Sequence, residues 1–168
     1  HIAEEAGVDI ASLYQYFANK EDLVEELLRS LADDVVVAAG RYFDAIGLYQ
    51  ATPAELIRGA LSLGLNLARA NPVVLELARH PRYLIASRGM ATLEHQMQHM
   101  ATVYFRHHFR SYPIENLHTR LYIVSISAFT VIARHLAEET PLVKDEELIE
   151  AMVQMFAPYF EQGGAAAK

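Results

Sequence analysis

Apolar residues recur at intervals of three and four along almost the whole chain, and this helical period is the constraint from which the fold follows. Leu117, Leu121, Val124, Ala128 and Ile132 form one stripe, which Tyr122, Phe129, Ala133 and Leu136 widen. A later segment repeats the pattern, with Leu148, Met152, Met155 and Tyr159 beside Ile149, Val153, Phe156 and Phe160. Strand-like alternation bounded by turn residues is hard to find. The chain therefore reads as all-α. Hydrophobic residues make up 52% of its 168 residues, enough for a sizeable core in one ordinary domain, or in a small domain joined to a larger one.

Glycine, proline and capping residues divide this pattern into helices. A short helix in "HIAEEAG" stops at Gly7. Asp9 caps a second, Ile10 to about Phe17, with Val8 and Leu13 placed as a hydrophobic staple. Asn19 caps a long third helix that reaches Phe43 to Ile46, with Glu21 and Asp22 suited to its N-terminal dipole. Thr52 caps the next, Pro53 sits in its first turn, and it runs to Asn71. Pro72 opens a short helix to Arg79, and "HPRY" breaks the pattern. A helix from Leu84 to Arg110, a break at "SYP", a helix from Ile114 to Glu139, and a last helix from Asp145 or Glu146 complete the chain. The closing "GGAAAK" reads as a flexible tail.

The formal net charge of −7 argues against a polybasic surface spread over the whole chain. Without cysteine there are no disulfides, thiol nucleophiles or thiolate metal sites. The longest nearly apolar run, residues 121–133, is too short to span a bilayer and fits a buried helix. No membrane partner and no cofactor are expected.

Two short helices joined by "GVD" form a helix-turn-helix candidate. Ile2, Ala3, Ala6, Val8, Leu13 and Phe17 would lock the pair together. The free face of the second helix would carry Ile10, Ala11, Ser12, Tyr14, Gln15 and Tyr16 into a major groove. Small residues at 11 and 12 allow close approach to base edges. Ser12 and Gln15 offer hydrogen bonds, and Ile10 and Ala11 offer contact to a thymine methyl. Lys20 stands beside free helix N–H groups, where it could neutralise a phosphate. Leu13 and Phe17 read as core. Three aromatics within four positions cannot all point inward from one short helix, so Tyr14 and Tyr16 read as the DNA face.

"IAEEAGVDIASLYQYFANKEDLV" resembles the N-terminal DNA-binding motif of the TetR/AcrR transcriptional regulators. Ile2, Ala3, Ala6, Gly7, Val8, Leu13, Tyr14, Tyr16, Phe17, Lys20, Glu21 and Leu23 carry the likeness. The resemblance implies a TetR-like fold: a partial helix-turn-helix domain over residues 1–24, its first helix expected upstream of His1, and a helical effector-binding and dimerisation domain over 25–161. Residues 162–168 form the tail. It places Ile10, Ala11, Ser12, Tyr14, Gln15 and Tyr16 on the recognition helix, and matches Tyr14 and Lys20 to positions that touch the phosphate backbone. It implies a bacterial, cytoplasmic, non-enzymatic homodimer that binds a double-stranded DNA operator and a small-molecule effector. Residues 1–30 hold seven carboxylates (Glu4, Glu5, Asp9, Glu21, Asp22, Glu25 and Glu26) against Lys20 and Arg29. Any basic DNA-facing character is therefore expected largely upstream of His1.

The apolar helices beyond residue 60 suggest an effector pocket of Leu63, Asn66, Leu67, Tyr83, Met97, His99, Met100, Tyr104, Phe105, Tyr122, Ser125 and Phe129. One stripe of the last two helices would pack inward. A second would form a two-fold four-helix interface through Leu121, Val124, Ala128, Ile132, Met152, Met155, Phe156 and Tyr159. The alternative for both sets is plain intramolecular core. His95 and His99 share a helix face at metal-ligand spacing, which raises a metal-dependent enzyme as a competing class. Gln96 stands where a zinc-protease helix needs its general base, and no third ligand can be named, so no metal is expected. A helical interaction module without DNA binding is the remaining alternative, supported by the acidic first 30 residues.

Overall fold

The computed structural model describes residues 16–108 and 114–161. Among the described residues are seven α-helices, one short 3-10 turn at Leu48–Gln50, and no strand. The helices are α1 (Lys20–Ile46), α2 (Pro53–Arg69), α3 (Pro72–Ala78), α4 (Pro81–Ala86), α5 (Arg88–His107), α6 (Leu117–Ala137) and α7 (Asp145–Glu161). The chain is all-α, as its periodicity indicates. The expected helices over 2–7 and 10–17 lie outside the described residues except for Tyr16 and Phe17, as do the "SYP" break and the tail.

Local chemistry sets the helix ends. The Asn19 side chain accepts from the Asp22 N–H at 2.8 Å and starts α1. Gly47 ends it at φ 70°, donating its N–H to the carbonyls of Phe43 and Asp44. A side chain in that left-handed conformation would cost roughly 1–2 kcal/mol. Thr52 and Glu55 form a reciprocal capping box at α2: the Thr52 N–H donates to the Glu55 carboxylate at 2.8 Å, and the Thr52 hydroxyl accepts from the Glu55 N–H at 3.3 Å. Asn71 accepts from the N–H groups of Val73 and Val74 at the start of α3.

Two helix starts differ from the sequence-based expectation. The long helix expected from Leu84 is split, because Pro81 opens the separate α4 and α5 begins at Arg88. Ser87, extended at ψ 134°, caps α5 by accepting from the Met90 N–H. The helix expected from Ile114 begins at Leu117, because Asn116 at φ 56° is left-handed and cannot lie inside a right-handed helix.

The main core joins α1 (Ala39, Phe43), α2 (Leu56, Ile57, Leu61), α5 (Tyr104, Phe105) and α7 (Met152, Val153, Phe156, Phe160). The rings of Phe105 and Phe160 stack with centroids 4.7 Å apart. Truncating a buried ring such as Phe160 would cost about 3–5 kcal/mol. A second cluster of Val24, Leu28, Leu77 and Leu84 ties the first half of α1 to α3 and α4. Helix α5 lies along α1, and α7 along α2.

Helix α6 corrects the expectation of a buried helix. It is long and apolar enough to cross a membrane by length and composition, and 17% of its most apolar window is buried inside the chain. One flank of α6 borders an internal cavity, and the opposite flank, with Tyr122 and Ile123, faces outward.

Candidate functional site

Of the residues expected to contact DNA, Tyr16 and Lys20 are described, and both are exposed, Tyr16 by 82%. Ile10, Ala11, Ser12, Tyr14 and Gln15 lie outside the described residues. The Lys20 ammonium sits 5.7 Å from the centroid of the Tyr83 ring, so the first turn of α1 rests beside α4.

Helices α1, α2, α5, α6 and α7 enclose an apolar cavity of about 520 Å³. Sites for drug-sized ligands run from roughly 300 to 1,000 Å³. Each wall is one helix face. Val35, Ala39 and Phe43 line it from α1, spaced by four. Leu56, Ile57, Ala60, Leu61, Leu63 and Gly64 do so from α2. From α5 come Met90, Leu93, Glu94, Met97, Met100, Ala101 and Phe105, again at steps of three and four. Val124, Ser125, Ala128, Phe129 and Ile132 form the α6 wall, and Phe156 and Phe160 close the end at α7. Ala91, Ile126 and Thr130 both line the cavity and are exposed, which puts its mouth between α5 and α6. Glu94, Ser125 and Thr130 are the polar side chains in the wall among the described residues.

Leu63, Met97, Met100, Phe105, Ser125 and Phe129, all expected in a pocket, line this cavity. Asn66, Leu67, Tyr83, His99, Tyr104 and Tyr122 do not. Asn66 and His99 are exposed, His99 because it lies off the Met97–Met100–Ala101 face. Tyr104 is fully buried in the core, where its hydroxyl donates to the Ala51 carbonyl at 2.5 Å. Tyr83 packs between Lys20 and Arg82, beside the second core cluster. Tyr122 is 53% exposed on the outer flank of α6.

The expected dimer residues are also redistributed. Leu121, Met152 and Phe156 are buried in the chain's own core, and Val124, Ala128 and Ile132 line the cavity. Met155 and Tyr159 face outward. The stripe assigned to a partner is thus the inward stripe of α6. The outward one consists of Tyr122, Ile123 and Ile126. Sequence reasoning also missed the α1 wall and Glu94. The four-residue spacing of Val35, Ala39 and Phe43 was the available signal for the first. For Glu94 the signal was its place inside the apolar run Met90–Met97–Ala101.

Two polar junctions hold this frame. The Glu25 carboxylate of α1 accepts from the N–H groups of Arg88 and Gly89, at 3.1 and 2.8 Å, at the N-terminus of α5, where Gly89 is buried. A carboxylate is favoured there by the helix dipole. At the other end, Arg69 of α2 donates to Asp145 of α7 at 2.8 Å, and buried His135 of α6 lies 2.7 Å from the same carboxylate. Hydrogen bonding from Arg69, followed by that from His135, holds the Asp145 carboxyl at about 2, below its ordinary 3.8. His95 and His99 are both exposed, and no group of three or more metal-ligating side chains exists among the described residues.

These features define a class: an all-helical body around an apolar chamber, entered by one long helix that continues directly from the N-terminal segment. That segment carries a family likeness. Residues 1–27 match the family model of the bacterial regulatory proteins of the tetR family. Over this N-terminal stretch the chain is similar to bacterial regulatory proteins of the tetR family. No curated protein and no solved structure matches the chain.

Proposed function

We propose that the chain is a ligand-responsive repressor, which leaves a palindromic operator when a small molecule fills the cavity. The observation that carries this reading is the continuity of α1. It starts at Lys20, inside the family match, and runs unbroken to Ile46, and its Val35, Ala39 and Phe43 line the cavity. From Lys20 to Phe43 the helix rises about 34 Å. An occupant that favours one setting of this helix biases the DNA-binding end by its difference in affinity for the two settings. Residues 1–24 are then part of the DNA-binding unit and 25–161 the effector and dimerisation unit. Residues 162–168 are a tail. Ile10, Ala11, Ser12 and Gln15 would face bases, and Tyr14, Tyr16 and Lys20 would face phosphates.

The partner is a second copy. Tyr122, Ile123 and Ile126 of α6, with Met155 and Tyr159 of α7, leave an apolar face on two adjacent helices. Such a face is buried when two copies form a four-helix bundle. The two-fold axis repeats the recognition helix at a spacing of roughly 34–36 Å or a multiple, which calls for a palindromic site. The protein would act in the bacterial cytoplasm.

The test is footprinting of the full-length protein on the DNA upstream of its own gene, across a salt series and with candidate effectors. Two protected half-sites, lost with effector and weakened by Tyr14→Ala, are expected. A complete lack of protection at low salt would remove DNA regulation as the function and favour the interaction module.

A further inference from the structure

We infer that the cavity selects an amphipathic organic cation, with Glu94 as its charge partner at the mouth. This deepens the proposed function, since it rests on the cavity being the effector site. On its own helix Glu94 has apolar neighbours, Met90 and Met97 one turn to either side, and across from it the α6 wall carries Phe129 with only the uncharged hydroxyls of Ser125 and Thr130 among the described residues. The hydrogen-bond partner of Glu94 among the described residues is the Gln98 amide, at 3.4 Å. No Lys, Arg or His lines the cavity among the described residues, so the protein itself supplies no counter-charge there.

Helical phase makes the placement specific. Position 94 falls on the same face as 90, 97 and 101, a face that every other member fills with an apolar side chain. A carboxylate on that face is expensive to desolvate unless a cation meets it. An anionic ligand would be repelled by it, and a neutral one would leave it facing hydrocarbon. A weakly hydrated organic cation satisfies it, and the phenylalanine-lined wall adds cation–π attraction. Five of the chain's seven phenylalanines line the cavity: Phe43, Phe105, Phe129, Phe156 and Phe160.

The direction of the ligand follows as well. Glu94 is three residues from exposed Ala91 at the mouth, whereas Phe105 and Phe160 stack at the closed end. Residues 94 and 105 are separated by a rise of about 16 Å along α5. An alkyl or aryl tail of that length would run inward from a cationic head held at the rim.

The experiment measures binding of decyltrimethylammonium, decan-1-ol and decanoate to the full-length protein by calorimetry, all below micelle formation. Wild type is expected to bind the cation about tenfold more tightly than the alcohol, with decanoate weakest. Glu94→Gln keeps the shape of the side chain, and should erase that preference while leaving the alcohol within about twofold, which also reports an intact cavity. If Glu94→Gln leaves the ratio of cation to alcohol unchanged, or if wild type prefers the alcohol or decanoate, the inference is overturned while the cavity remains an effector site. If none of the three binds, the effector reading fails and this inference falls with it.

Discussion

Replacing Gly89 by alanine drives a methyl group into the backbone of the neighbouring helix. A Cβ built there would lie 2.6 Å from the Arg29 nitrogen, 2.8 Å from the Leu28 carbonyl carbon and 2.9 Å from the Arg29 Cα. None of these atoms can swing aside, as the tip of a side chain could. Helices α1 and α5 must separate by about 1 Å to restore ordinary contact. That movement stretches the Glu25 hydrogen bonds to Arg88 and Gly89 from 3.1 and 2.8 Å past useful length. It also loosens Leu28, which is 2% exposed in the cluster with Val24, Leu77 and Leu84. Overpacking costs about 1–3 kcal/mol, the weakened charge-assisted bonds add to it, and the better helix propensity of alanine returns up to about 1 kcal/mol. We expect a net loss of about 2 kcal/mol, or roughly 4–8 °C in Tm for a chain of this size. Urea denaturation at one fixed protein concentration measures it, with an unchanged slope as the sign of an intact fold. Glu25→Gln should cost about 1 kcal/mol. The double variant should cost less than the sum, because separating the helices already removes most of what Glu25 contributes. Stability equal to wild type in Gly89→Ala, or full additivity in the double variant, would refute the reasoning.

Asp145→Asn tests the junction of α2, α6 and α7. The Asp145 carboxyl is depressed to about 2 in the folded chain, so its contribution is present above the unfolded value of 3.8 and lost as pH falls from there towards 2. With 34% of the side chain exposed, solvent screening limits that contribution to about 1 kcal/mol. Urea melts of wild type and Asp145→Asn should differ by that amount near neutrality and converge near pH 2; a difference that ignores pH would contradict the assignment. Ile123→Glu tests the outer flank of α6 without touching the cavity wall. Ile123 is 44% exposed, and sedimentation should show the proposed dimer dissociating while helicity is retained. An unaltered sedimentation coefficient would remove this face as a dimer interface.

Helix existence was legible because its signals are local. Asn19, Gly47, Thr52, Pro53 and Asn71 each start or stop a helix through chemistry within a few residues. The split at Ser87 was not legible, since the apolar period runs through it and part of what holds the α5 start comes from Glu25, far away in sequence. Pro158 lies inside α7, where a local rule would stop a helix; buried Phe160 beyond it anchors the final turn in the core. The cavity was half legible. Periodicity finds the face holding Met97, Met100 and Phe105, but the same residue types build solid core, as Tyr104 does one position away. On α6 both flanks are apolar, so spacing could not tell the cavity side from the outer side. Within the chain, Leu121, Val124, Ala128 and Ile132, expected at a dimer interface, lie on the flank that meets the core and cavity. The residues expected to face DNA rest on motif spacing alone; of them, Tyr16 and Lys20 are exposed.

Ile126 and Thr130 belong to two surfaces at once, the rim of the cavity and the exposed side of α6. A substitution at either position is therefore felt twice. On the proposed dimer, a lineage that retuned the entrance at Ile126 for a new compound would reshape the face it offers to its second copy in the same step. Newly duplicated copies could in this way stop pairing with the parent protein as soon as their chemical preference drifted. Insulation between sister regulators would then need no separate set of mutations.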